Sequence, residues 1–206
     1  MFSINIYIKF ALIAIFLLGG ISLALVYGLG YSWILILIGL ILLATYVLLG
    51  TVQSAAQLVQ TSDFEAAEKR LGLTLSPKLL YVTNRAFYYI IKGSIAMQAN
   101  KHEEAETLFQ QANGLKLPSD NERGMVLLQL AGLNANKQKW TTAKNYYREA
   151  SKLNITDSQL KEQVDMFGKQ MKQAGATKGA QGMMGRSGSK GKQMMPGGKR
   201  RIPKMR

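Results

Sequence analysis

The sequence predicts an all-α chain: an N-terminal transmembrane helical hairpin, an array of repeated helices, a C-terminal capping helix and a disordered basic tail. Three observations carry this. Residues 4–52 are almost wholly apolar, in two runs each long enough to cross a bilayer. The segment NKHEEAETLFQQANGLKL, 100–117, returns as NKQKWTTAKNYYREASKL at 136–153. From Gly175 to the end there are nine Lys or Arg and no Asp or Glu, so much of the net charge of +14 sits in the tail.

The hairpin occupies 1–52. Ile4 to Tyr27 is interrupted by Asn5, Lys9 and Ser22, and Trp33 to Val52 by Thr45 and Thr51. Each run can cross a hydrocarbon layer of ~30 Å as a helix of about twenty residues. Gly28 to Ser32 is short enough for a tight turn only, which brings both ends to one side. Tyr27, Tyr31 and Trp33 gather at that turn, where amphipathic rings favour the headgroup level. The turn is uncharged, whereas Lys9 and the Lys/Arg-rich region after the second span favour the cytoplasmic side, so both termini are expected in the cytosol and the membrane is read as the plasma (inner) membrane. A cleaved leader ending near Ser22 and Ala24 is the competing reading of the first run; the weak charge before it and the second span directly after it favour the hairpin. Gly20, Ala24 and Gly28 form a small-residue seam. It packs either against Gly39 and Ala44 of the same hairpin or against another membrane helix, and the first is the simpler reading.

Thr51 to Gln60, TVQSAAQLVQ, keeps helical spacing directly after the second span. The expectation is one continuous helix from the bilayer into a repeat domain at 48–155. Ala67, Ala105 and Ala143 stand 38 residues apart, each preceded twelve residues earlier by a small residue, Ala55, Gly93 or Ala131. Small residues at fixed spacing let helices approach where they cross. Ser62 with Glu65, Ser119 with Glu122 and Thr156 with Gln159 fit capping boxes, and Ser76-Pro77 places proline at a helix's first position. These signals predict helices over 63–75, 77–100, 102–116, 120–137, 140–153 and 157–174. The last, the capping helix of 156–174, sets Leu160, Val164, Phe167 and Met171 on one face and ends at Gly175. Residues 175–206 have too few large apolar side chains to offset the entropy of ordering, and disorder is expected there.

The alanine lattice, with Phe109 matched by Tyr147, resembles the tetratricopeptide repeat (TPR) family over roughly 48–154. The middle copy carries the likeness best, through Tyr89, Gly93, Ala105, Phe109, Ala112 and Pro118. The first copy departs from it at Thr74, and the period exceeds the family's ~34 residues by about one helical turn. The resemblance implies an α-solenoid of about three helix pairs whose concave face is lined by the first helix of each pair. On that register Phe87, Ile90, Ser94 and Met97 of the second copy, with Met125, Leu128 and Gly132 of the third, form an apolar, Met-containing groove for a peptide or a partner helix. The competing reading places the same apolar residues in the core. Lysines and asparagines that grip a terminal carboxylate in some family members are missing from this face.

Catalysis has little to stand on. There is no cysteine, hence no thiolate nucleophile or thiolate metal site. The one histidine, His102, opens a helix among solvated carboxylates, which is a poor metal or catalytic setting. No cofactor is expected. Binding remains, through the groove and through Lys178, Arg186, Lys190, Lys192, Lys199, Arg200, Arg201, Lys204 and Arg206, a polycation suited to anionic lipid or ribosomal RNA, or serving only to hold its end inside. The first functional expectation is a non-catalytic membrane adaptor that recruits a protein partner. The second is a ribosome- or translocon-associated factor in membrane protein insertion or export.

Overall fold

A computed structural model describes residues 6–187 of the chain. Among them all regular structure is helical. Two long helices, α1 (Ile6–Tyr27) and α2 (Leu29–Leu49), pack antiparallel as a hairpin. They are long and apolar enough to cross a membrane, and most of their side chains face outward, Leu18 and Leu25 among them. A Cβ on Gly20 would stand 2.7 Å from the Ile36 side chain, and one on Gly39 would stand 2.7 Å from that of Leu17. Each of these two glycines thus lets the opposite helix come close, against Ile36 and Leu17 rather than against one another.

The turn is shorter than the five residues expected. Gly28 alone interrupts the helices, at φ 83° and ψ 165°, a conformation open essentially only to glycine. Tyr31 and Trp33 therefore sit in the first turns of α2.

Three helix pairs follow: α3 (Val52–Gln60) with α4 (Phe64–Gly72), α5 (Val82–Gln98) with α6 (His102–Asn113), and α7 (Asp120–Asn136) with α8 (Trp140–Ala150). The 38-residue period is visible in the backbone. Ser62, Asn100 and Gln138 each adopt a left-handed conformation, at φ 62°, 58° and 59°, in the turn inside each pair. Around them the same two bonds recur: Asp63, Lys101 and Lys139 N–H donate to the carbonyls of Leu58, Ala96 and Asn134, while the left-handed residues donate to Val59, Met97 and Ala135. This double closure satisfies carbonyls that the end of a helix would leave open. Ala55, Ala67, Ala105, Ala131 and Ala143 are fully buried at the crossings. At Gly93 a Cβ would lie 3.0 Å from the ring of Phe109, so the aromatic ring fills the space that glycine leaves.

Several expected boundaries are corrected. The continuous helix expected from the second apolar run into the repeats is broken: α2 ends at Leu49 and α3 begins at Val52, because Gly50 leaves helical conformation at φ 62° and ψ −151°. The helix expected from Pro77 begins at Val82, preceded by one turn of 3-10 helix, Pro77–Leu79, that the Ser76 hydroxyl caps. Asp63 rather than Ser62 caps α4, accepting from Ala66 N–H, since Ser62 is committed to the turn. Asp157 likewise replaces Thr156, accepting from Gln159 N–H at 2.9 Å, while Thr156 accepts from Asn121. At Ser119 the hydroxyl takes Asn121 N–H and donates to the Glu122 carboxylate.

The last helix, α9 (Ser158–Ser187), passes through Gly175 instead of stopping there. Glycine costs a helix about 1 kcal/mol per residue but blocks no hydrogen bond, and the first residue able to do so, Pro196, comes later. Disorder expected for 175–187 is thus replaced by helix, while 188–206 lie outside the described residues. The chain divides into two units within α9, after Val164. In the first unit Leu160 and Val164 are buried, and Leu160 lies beside Gly124 of α7.

Candidate functional site

The break at Gly50 builds a joint. Ending α2 there leaves the carbonyls of Leu48 and Leu49 without helical partners. Tyr81 N–H donates to Leu48 at 2.9 Å and the Asn84 side chain donates to Leu49 at 2.9 Å. The buried Thr51 hydroxyl donates to the Arg70 carbonyl and lies 3.0 Å from the Thr74 hydroxyl. Tyr46, buried in α2, donates its hydroxyl to the Leu73 carbonyl and meets Phe10 of α1 edge-on at 4.9 Å. The Arg70 guanidinium lies 5.0 Å from the centre of the Tyr7 ring. Both hairpin helices are thereby tied to the segment 70–84, and a tether of two non-helical residues becomes a bonded mount.

Beside the joint opens a cleft of about 420 Å³, lined by Lys9 of α1, Leu49 and Gly50, Val52, Gln53 and Ala56 of α3, and Asn84 and Phe87 of α5. Its walls are mostly apolar. Lys9 is the only charged residue of the hairpin, and no Asp or Glu lines the cleft.

The residues expected to form a partner groove divide between core and surface. Ile90 is 4% exposed and belongs to the core cluster of Phe109, Val126 and Leu130, which leaves it no surface for a ligand. Phe87, Met97 and Met125 are half-buried and packed on that cluster. The Ser94 hydroxyl donates to the Ile90 carbonyl. Leu128 and Gly132 are half-buried on α7, and a Cβ on Gly132 would meet nothing within 4 Å. Of the residues expected in the groove, Gly132 has open space beside it.

Between the second and third pairs lies a polar clip. Glu106 of α6 accepts from the buried Asn134 side chain at 2.9 Å and from Lys137 Nζ at 2.7 Å. The Lys137 bond and then the Asn134 bond hold the Glu106 carboxyl below the usual carboxylate range, and Glu106 in turn raises the Lys137 ammonium. Its role is to join helices; among the described residues no cluster of three or more metal-ligating side chains occurs. His102 is exposed at the start of α6. Of the basic tail residues, Lys178 and Arg186 fall on α9; Lys190, Lys192, Lys199, Arg200, Arg201, Lys204 and Arg206 lie outside the described residues.

Sequence reasoning missed the joint and the cleft. Two signals pointed to them: a glycine followed by two hydroxyl-bearing residues, Thr51 and Ser54, at the end of a greasy run, and a lone lysine inside the first. Comparison with protein-family models, with curated proteins and with solved structures gives no match for this chain.

Proposed function

We propose that the protein is a non-catalytic membrane adaptor. The α1–α2 hairpin spans the bilayer, and a TPR-like solenoid of three helix pairs, with the start of α9 as its cap, holds a protein partner at the cytosolic face. The observation that carries this reading is the bonded joint at Gly50. An outward-facing apolar hairpin is fixed to a stack of paired helices, so whatever the stack binds is held at a set height and angle above the lipid. A flexible tether would give no such orientation. The groove end at Leu128 and Gly132 is the contact surface in this reading, with Phe87, Met97 and Met125 contributing their exposed edges.

Photo-crosslinking side chains placed singly at Leu128, Gly132 and the exposed Gln110 of α6, in the full-length protein in its membrane, test this. Discrete protein adducts from the first two positions and none from Gln110 support the adaptor. Adducts equal at all three positions, or none at any, contradict it.

A further inference from the structure

The geometry points to the cleft at the joint as a binding site for an anionic phospholipid, with the lipid phosphate on the Lys9 ammonium and an acyl chain along Leu49, Val52, Ala56 and Phe87. The inference rests on the reading of α1 and α2 as membrane spans. Lys9 lies three residues after Ile6, about 4.5 Å along the helix axis at a rise of ~1.5 Å per residue. The opposite wall is formed where α2 ends, at Leu49 and Gly50. The cleft therefore opens at the level where a span gives way to the aqueous side, which is the depth of the phosphates.

Charge narrows the occupant. All twelve acidic side chains of the chain lie between Asp63 and Asp165, and none lines the cleft. Lys9 forms no ion pair among the described residues, unlike Lys69 with Glu65 and Lys137 with Glu106. Arg70 is turned onto the Tyr7 ring, and Lys9 is the one basic residue that lines the cleft. The Asn84 amide, held on the Leu49 carbonyl, keeps the rim polar where a headgroup would sit. A soluble anion such as phosphate would satisfy the ammonium but leave the four apolar walls against water. A phospholipid satisfies both, and its source adjoins the site, because the exposed faces of α1 and α2 lead up to it. Such a lipid would seal the joint from within the leaflet and couple the mount to membrane composition.

The test uses the full-length protein in nanodiscs and a photoactivatable phosphatidylglycerol, with adducts mapped by peptide. Labelling of peptides containing Lys9 or Phe87 is expected in the wild type and in Lys9→Arg. It should fall about fivefold in Lys9→Met, matching the loss of one basic contact to lipid. Adducts on the basic tail are read separately from their own peptides. Should Lys9→Met lose helicity, Lys9→Gln gives the same comparison with a polar side chain. Equal labelling in the charge-removed variant, equal labelling by a phosphatidylcholine probe, or displacement by inorganic phosphate overturns the inference. Alkaline extraction of membranes separates the two levels: a protein that stays in the membrane but lacks Lys9-dependent labelling refutes the lipid site alone, whereas one that washes off refutes the spanning hairpin as well.

Discussion

The backbone N–H of Tyr81 reaches the carbonyl of Leu48 across 2.9 Å, joining the end of α2 to the start of α5 across thirty-two intervening positions. With the neighbouring Asn84 to Leu49 bond it converts a helix break into a fixed angle. Helix termini normally face water or a local cap, so a cap drawn from this far along the chain marks the break as a structural element of the mount.

Gly50→Ala should destabilise the protein by about 1–3 kcal/mol, the cost of forcing a side chain into a glycine-only conformation. Its Cβ would also meet Leu80 at 2.8 Å. Thermal unfolding in detergent, followed by helicity, measures this. Asn84→Ala should cost about 1 kcal/mol and speed amide exchange at residues 50–56 while leaving α7 and α8 unchanged.

Gly93→Ala should cost about 1–3 kcal/mol by pressing a methyl group onto the Phe109 ring. Combining it with Phe109→Leu, which clears the space, should recover part of that loss, so the two changes will be less than additive. Chemical unfolding of the two single variants and the double variant checks this. Strict additivity would mean that the pair does not share one space.

The left-handed turns offer a stabilising change. Gln138→Gly should raise stability by up to about 1 kcal/mol, because a longer side chain is strained at φ 59°. Asn100→Gly should gain less, since asparagine tolerates this conformation better. The two gains, read from unfolding midpoints, should fall in that order.

Acid should loosen the α6–α7 junction. The Glu106 carboxyl is held below its usual range by Lys137 and Asn134. Its contribution is present above the unfolded value of about 4.3 and is lost as pH falls through the lower folded one. Lys137, shifted upward, contributes below about 10.4 and loses its contribution as pH rises through its higher folded value. Glu106→Gln should therefore flatten the stability profile at its acid end. Unfolding midpoints of both proteins across that range give the comparison.

Much of this architecture was legible because it rests on size and period. Ala55, Gly93 and Ala131 declare helix crossings by being small, and Ala67, Ala105 and Ala143 declare the period by returning at one interval; all six are buried in the structure. The break at Gly50 was not legible. A glycine among leucines reads equally well as a packing residue, as Gly39 is, and only the distant Tyr81 and Asn84 make it a terminus. Ile90 shows the same limit at the candidate site: helical spacing marks a face but does not say whether another helix already covers it. The end of α9 was not legible either, because Gly175 weakens a helix but its backbone bonds can continue one.

The membrane hairpin is tested most directly by sidedness. The chain has no cysteine, so single cysteines can be placed at Tyr31, 78% exposed beside the turn, and at the exposed Lys101 between α5 and α6. A membrane-impermeant maleimide applied to intact cells should label Tyr31→Cys and leave Lys101→Cys unlabelled until the cells are opened. Labelling of Lys101→Cys in intact cells, or of neither until opening, would contradict a hairpin that crosses the membrane and returns to the cytosolic side.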